Sequence, residues 1–256
     1  LDKRRRQRSE IIVEATGTEA TRRDRGQHLC QQFTKRRRAL HHASHRQLTT
    51  RGRTPMDDEA GVFDRLNPTP VTNETSVTGL RVLENDRYRW LESAGGIVHS
   101  AIDKSRPDAL LLPYTRWMLW PALFISRPQR ALCLGLGAGS LPRFLSPWCE
   151  THCVDRDPDV IHWSRAHFNL PASVSTYAAD ARDAVRAAQT PVFDWVFCDV
   201  FDSMGVPDWL GNIAFQDACQ AALKPGGVLV VNVSAHDQDI VQHVLHAMTD
   251  AADGPV

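Results

Sequence analysis

The feature that most restricts the fold is a regular alternation of short apolar runs and helical segments from Arg130 onward. Strands that are apolar on both faces and alternate with helices indicate a parallel sheet with both faces covered. The runs predicted as strands are 131–136, 151–154, 173–178, 192–200 and 227–233. The helical segments that follow them are 141–145, 159–168, 181–188, 212–223 and 237–248. The sequence therefore predicts an α/β fold with a doubly wound, Rossmann-like parallel sheet.

A glycine-rich turn follows the first predicted strand and contains Gly135, Gly137 and Gly139. In a doubly wound sheet this turn lies at the carboxyl end of the strand, where ligands bind. Glycine allows positive φ angles and a close approach of the backbone to a ligand. Ser140 occupies the place of the last glycine of a dinucleotide fingerprint, which argues against a pyrophosphate cofactor. A tight packing turn is the alternative interpretation.

Acidic residues follow the next three predicted strands. Asp155 ends the second strand, 20 residues after Gly135, where a carboxylate can accept hydrogen bonds from ribose hydroxyls. Asp180 ends the third strand, within reach of an adenine amino group, and Asp199 ends the fourth, with Asp202 just beyond it. Each could instead cap the helix or turn that follows it. Three acids and a glycine turn at one sheet edge nevertheless predict a nucleoside-binding crevice.

Residues 1–55 differ from the rest of the chain in charge and pattern. Residues 1–55 carry 15 Lys and Arg against 5 Asp and Glu, whereas residues 56–256 carry 15 against 25. We expect residues 1–55 to be a mostly disordered basic tail, because only the run 11–13 is apolar. The alternatives are an arm that binds nucleic acid, which we do not favour, and a mis-set start, since the first methionine is Met56.

The segment before the glycine turn is predicted as a small β region. The runs 80–83 and 88–91 flank a turn at 84–87 and indicate a β-hairpin, and 96–100 can add a third strand. The apolar run 114–124 predicts a helix. The domain division is thus a basic tail at 1–55, a hairpin region with its leading helix at 56–128, and a nucleoside-binding domain at 129–256.

Several classes of protein are disfavoured. The six cysteines include no Cys-x-x-Cys pair, so a disulfide scaffold is not expected. The apolar stretch 109–126 is interrupted by prolines and an arginine and does not predict a membrane span. The chain does not start with a secretory signal, so we expect a cytoplasmic protein without a membrane partner. His41, His42, His45 and Cys30 match no zinc-ligand spacing, so we expect no metal.

Five stretches together resemble the spermidine synthase-like (polyamine aminopropyltransferase-like) family of the class I S-adenosylmethionine-dependent methyltransferase fold. They are 134–139, 154–157, 179–182, 193–202 and 223–229, within a resemblance that covers about residues 79–249. The resemblance implies a transferase that takes S-adenosylmethionine or its decarboxylated form as donor substrate and a small-molecule amine as acceptor. It leaves a homodimer open.

The same resemblance assigns roles to the residues at the sheet edge. It implies that Gly135, Gly137 and Gly139 line the aminopropyl or amino-acid tail of the donor. Asp155 would hold the ribose and Asp180 would contact the adenine. Asp199 and Asp202 would be the catalytic pair beside the acceptor amine, with Asp199 orienting the amine and helping to remove its proton.

The sequence also departs from the family pattern. Ala138 stands where the family usually has an aspartate that favours the decarboxylated donor, so a methyltransferase that uses S-adenosylmethionine is the second reading. The polyamine-binding motifs expected near 91–94 and 112–116 are not evident, and Ser203 replaces a proline. The sequence ends without the antiparallel strand pair expected last in this fold. A truncated, non-catalytic nucleoside-binding protein is therefore the third hypothesis.

Overall fold

The structure is a computed structural model that describes residues 10–16, 68–94, 96–188, 190–202, 205–234 and 238–252. The strands, in chain order, are β1 (Glu10–Thr16), β2 (Thr69–Pro70), β3 (Leu80–Glu84), β4 (Tyr88–Ser93), β5 (Ile97–Asp103), β6 (Arg130–Leu134), β7 (Glu150–Asp155), β8 (Ser175–Ala178), β9 (Phe193–Cys198) and β10 (Leu223–Ser234). The helices are α1 (Pro113–Trp117), α2 (Ser140–Leu145), α3 (Pro158–His167), α4 (Ala181–Ala187), α5 (Ile213–Ala222) and α6 (Gln238–Ala252). Short 3₁₀ turns lie at Trp120–Leu123 and Asp208–Gly211.

The larger sheet has six parallel strands in the order β1–β10–β9–β6–β7–β8. Its central strands are buried on both faces, as the continuous apolar runs predict. Trp195 and Phe197 point into one core cluster, whereas Val196 and Cys198 point into the other. The predicted α/β fold with a parallel sheet is confirmed.

The smaller sheet is antiparallel, in the order β2–β3–β4–β5, and confirms the predicted hairpin region. The β3–β4 turn is held by Asn85, whose side-chain oxygen accepts from the N–H groups of Arg87 at 2.9 Å and Tyr88 at 2.8 Å. Asparagine is common in turns because its side chain can accept hydrogen bonds from nearby backbone N–H groups in this way. Val82 and Leu91 carry the apolar face of this sheet into a third core cluster.

The N-terminus of α3 joins the small sheet to the large one. Asp157 caps this helix by accepting from the N–H group of Asp159 at 2.9 Å. The other oxygen of Asp157 accepts from the N–H group of Thr78 at 3.1 Å, and Asp159 accepts from the N–H group of Val77 at 3.2 Å. The segment before β3 is thereby fixed against the first turn of α3, directly beside the end of β7.

The strand β1 is a difference from expectation. The whole of 1–55 is expected to be mostly disordered, yet Glu10–Thr16 pairs in parallel with Val228–Ser234 of β10. The physical reason is that the run 11–13 is β-branched and the outer edge of β10 offers unpaired N–H and C=O groups. Residues 1–9 and 17–67 lie outside the described residues, and so do Cys30 and the histidines at 41, 42 and 45.

The predicted helix at 114–124 is wrong in its length. The α-helix ends at Trp117, and the chain continues through the 3₁₀ turn at Trp120–Leu123. Pro121 has no N–H group, so an α-helical bond at that position is unavailable. The N–H groups of Leu119 and Ala122 instead bond to carbonyl groups three residues earlier, at 3.2 and 3.0 Å.

In the described part of the chain, none of the helices is sufficiently long and apolar to traverse a bilayer.

Candidate active site

The glycine turn is shaped by contact with the end of β9. Gly135 has a φ of 90°, and a Cβ atom placed on it would lie 2.1 Å from the carbonyl oxygen of Asp199. Gly139, with a φ of 70°, is the residue from which α2 begins. A Cβ atom on Gly137 would meet Ser100 of β5 at 3.1 Å. A packing role is therefore established for Gly135, and the role of the three glycines toward a donor stays a prediction.

Asp155 ties the end of β7 to this turn. One carboxylate oxygen accepts from the N–H group of Leu136 at 2.9 Å, and the other accepts from the N–H group of Asp157 at 2.9 Å. Burial raises the pKa of Asp155, with a partial offset from the backbone N–H groups that donate to it. The N–H group of Gly137 also hydrogen-bonds this carboxylate, so ribose hydroxyls would share the acceptor positions that these three N–H groups leave. The ribose role of Asp155 is compatible with this geometry and stays a prediction.

Asp180 follows β8 and caps α4, accepting from the N–H group of Arg182 at 2.8 Å. The Arg182 guanidinium also binds the same carboxylate through Nε at 2.9 Å and Nη2 at 2.7 Å. These bonds lower the pKa of Asp180. The capping alternative is thus realised at Asp180, and its contact with adenine stays a prediction.

Asp199 lies at the centre of a hydrogen-bonded group that the sequence reveals only in part. Its Oδ1 atom accepts from Nδ2 of Asn232 at 2.8 Å. The Tyr114 hydroxyl also hydrogen-bonds its carboxylate and lies 3.4 Å from the carbonyl oxygen of His99. Burial raises the pKa of Asp199, and the bonds from Asn232 and Tyr114 offset part of the rise. A buried acid that keeps its proton more tightly is a stronger base once ionised.

Asn232 is a site residue that sequence reasoning missed. It is only 5% exposed and is the one amide in the apolar run Val228–Val233 of a central strand. Buried amides require a hydrogen-bond partner, so its position in that run was a usable signal. Tyr114 is a second such residue, and nothing in the spacing of the sequence indicates its bond to Asp199.

The remaining predicted residues lie nearby with different surroundings. Asp202 closes a tight turn in which its N–H and C=O groups pair with Gly205 at 2.9 and 3.2 Å. Its catalytic role stays a prediction. His99 hydrogen-bonds the Ser93 hydroxyl at 2.9 Å. Burial lowers the pKa of His99.

Ala138 has no contact with water and packs in the apolar cluster with Val82, Leu91 and Trp163. No side-chain charge therefore stands at the position where the family usually has an aspartate. Among the described residues, no group of three or more His, Cys, Asp or Glu side chains is arranged to hold a metal ion.

The comparisons with curated proteins point to one family. A polyamine aminopropyltransferase of Chromobacterium violaceum is 31% identical over 176 residues, which is 65% of this chain and 67% of that protein. A polyamine aminopropyltransferase of Vibrio vulnificus is 32% identical over 130 residues, which is 48% of this chain and 44% of that protein. An N-terminal histidine N-methyltransferase of Emericella nidulans is 33% identical over 109 residues, covering 41% of this chain but 20% of that enzyme. No family model matches the chain.

Solved structures agree on the fold. A probable spermidine synthase from Corynebacterium glutamicum superimposes with a TM-score of 0.63 at 23% identity, covering 72% of this chain and 71% of that chain. A spermidine synthase in complex with the transition-state analogue AdoDATO gives a TM-score of 0.57 at 19% identity, covering 73% of this chain and 66% of that one.

The importance of Gly135 can be separated from the cost of its positive φ angle. We expect Gly135→Ala to destabilise the protein by at least about 2 kcal/mol, because strain at φ 90° adds to a clash with backbone at 2.1 Å. Gly79→Ala is the matched control, since Gly79 has a φ of 83° and nothing within 4 Å of the added atom. It should cost only about 1 kcal/mol. Urea unfolding of both variants measures the difference, and equal losses would contradict the contact with Asp199.

The spacing of the glycine turn and the three strand-end acids, the parallel sheet that joins them, and the match over two thirds of a curated relative lead to one assignment. The chain belongs to the polyamine aminopropyltransferases, a family of alkyl transferases.

Proposed function

We propose that this protein binds an adenosyl sulfonium donor at the carboxyl ends of β6, β7 and β8 and transfers its aminopropyl group to a small amine held at Asp199. The observation that carries the proposal is the half-buried Asp199 carboxylate, which is bonded to Asn232 and Tyr114 and belongs to a residue whose backbone carbonyl lies against Gly135. The family membership supports an alkyl transfer, and the strand-end acids support an adenosyl group in the donor. A homodimer and a cytoplasmic location stay predictions.

The proposed reaction requires no covalent intermediate with the protein. The nitrogen lone pair of the acceptor forms a bond to the carbon next to sulfur, and the carbon–sulfur bond breaks with its electrons going to sulfur. The sulfonium becomes a neutral thioether, and the nitrogen releases one proton. The protein aligns the two reactants and excludes water, which lowers the entropic part of the barrier.

Asp199 is the group in this chain suited to take that proton. An amine attacks only when it is neutral, so a carboxylate near the nitrogen can remove a proton before or during attack. The bonds from Asn232 and Tyr114 fix the orientation of the carboxylate, and burial makes it a better base than an exposed aspartate. A negative charge in a partly enclosed crevice also attracts a cationic amine.

Methyl transfer from S-adenosylmethionine is the second candidate function. The observation that favours it is Ala138, whose buried methyl group leaves no negative charge to repel a donor carboxylate. The similarity to an N-methyltransferase over 109 residues is consistent with this alternative. Both functions use the same crevice and differ in the tail of the donor and the carbon that is attacked.

Donor binding distinguishes the candidates. Calorimetric titration of the full chain with S-adenosylmethionine and with its decarboxylated form measures both affinities under one condition. We expect tighter binding of the decarboxylated donor if the protein transfers an aminopropyl group. Tighter binding of S-adenosylmethionine would favour methyl transfer instead. A folded protein that binds neither donor would refute both.

The ribose assignment predicts that Asp155→Ala weakens nucleoside binding by about 1–3 kcal/mol, because it removes a charged hydrogen-bond partner. Asp183→Ala is the control, since that side chain lies on the exposed face of α4. The affinities for 5′-methylthioadenosine, measured by calorimetry, should fall only in the first variant. Unchanged affinity in a folded Asp155→Ala protein would remove Asp155 from the site.

The base assignment predicts that Asp199→Asn lowers turnover by about 10²–10⁴-fold while donor affinity changes little. In the wild type, activity should rise with pH as the Asp199 carboxyl, whose pKa burial raises, loses its proton. That acidic limb should be absent from the variant, because asparagine does not titrate. The exposed Asp217→Asn is the matched control. Wild-type turnover in Asp199→Asn would rule out its role as the base.

A further inference from the structure

The carboxylate of Asp180 is held by a single neighbouring residue. Arg182 donates to Oδ1 through its backbone N–H at 2.8 Å and through Nε at 2.9 Å, and to Oδ2 through Nη2 at 2.7 Å. A two-pronged contact between guanidinium and carboxylate fixes the plane of the carboxylate as well as its position. Asp180 is therefore not a freely rotating surface acid, although it is 30% exposed.

These bonds leave Asp180 with a limited acceptor capacity. An ionised carboxylate has about four acceptor positions, two on each oxygen. Both positions on Oδ1 are used by Arg182, and one of the two on Oδ2 is used by Nη2. Within the residues that the structure describes, the remaining position on Oδ2 receives no donor. The carboxylate at the end of β8 therefore offers one further acceptor position, on an oxygen whose orientation Arg182 fixes.

Arg182 is itself held in place from a second loop. Its guanidinium lies over the ring of Trp209, 5.2 Å from the ring centre, and Trp209 packs edge-on against Phe215 of α5 at 4.9 Å. A cation over an indole face is an attractive contact. Arg182 therefore contacts both the segment after β8 and the segment after β9, and its position depends on both.

We propose that Arg182 is a positioning residue that makes Asp180 selective for a base bearing an exocyclic amino group. The inference rests on the proposed nucleoside site and deepens it. An amino group on the base donates a hydrogen bond to the open position on Oδ2 of Asp180. A carbonyl group at the same place on the base cannot donate, and its oxygen is repelled by the carboxylate oxygen. A site built to accept a hydrogen bond rejects an analogue that cannot donate it.

The test compares two nucleosides that differ in one group. Calorimetry gives the affinities of the wild-type protein for 5′-methylthioadenosine and for 5′-methylthioinosine, in which a carbonyl replaces the amino group. We expect the amino compound to bind at least about 10-fold tighter, as for a hydrogen bond to a charged group. The ratio of the two affinities is the readout, because a general loss of packing lowers both values together.

Three variants locate the origin of that ratio. Arg182→Met removes the guanidinium fork and its charge, and we expect the ratio to fall to about 3-fold or less because the carboxylate is free to rotate. Arg182→Lys keeps the charge without the fork, so the ratio should be intermediate. Arg186→Met is the matched control, since Arg186 lies on the same helix and pairs with Asp183 at 3.5 Å in an exposed position. It should retain the wild-type ratio.

The outcomes separate this inference from the proposed function. A wild-type ratio in Arg182→Met, with the variant folded, would overturn the role of Arg182 while leaving the nucleoside site intact. Equal binding of both nucleosides to the wild type would overturn the selectivity of Asp180. Failure of the wild type to bind either nucleoside would refute the nucleoside site, and this inference with it.

Discussion

The contact between the end of β6 and the end of β9 is the constraint on which the candidate site depends. Gly135 lies so close to the carbonyl oxygen of Asp199 that only a residue without Cβ fits. Because these two strands are neighbours in a parallel sheet, their carboxyl ends are forced to the same edge. The backbone alone therefore fixes the glycine turn, which we propose binds the donor, relative to Asp199, which we propose activates the acceptor.

The three strand-end acids have different surroundings, and these differences indicate a different role for each acid. Asp155 is half-buried and bonded to backbone N–H groups, Asp180 is bound by an arginine, and Asp199 is half-buried beside neutral donors. Burial without a cation raises the pKa of Asp155 and Asp199, whereas the guanidinium lowers the pKa of Asp180. Only Asp199 combines a raised pKa with side-chain partners that reach it from two other elements, which suits a group that must take up a proton.

The sequence was sufficient for the fold because buried parallel strands carry their own signal. The runs 195–198 and 228–231 are apolar at every position, and the glycines and acids lie at fixed places around such runs. The sequence was insufficient wherever partners are distant in the chain. Nothing in the spacing links Tyr114 to Asp199, and a short mixed run such as Glu10–Thr16 shows no strand until an open sheet edge accepts it. The division of 114–124 into a helix and a 3₁₀ turn follows from Pro121, a signal that the sequence does contain.

The pairing of β1 with β10 also bears on how the chain acquires its structure during synthesis. Glu10–Thr16 leaves the ribosome well before its partner Val228–Ser234, which lies far along the chain. The backbone groups of β1 therefore lack their final partners while the residues between the two strands are translated. Contacts between such distant segments carry a large loop-closure cost and form slowly. The edge of the sheet should accordingly be the last part to close, after the strands that carry the glycine turn and the three acids have already assembled.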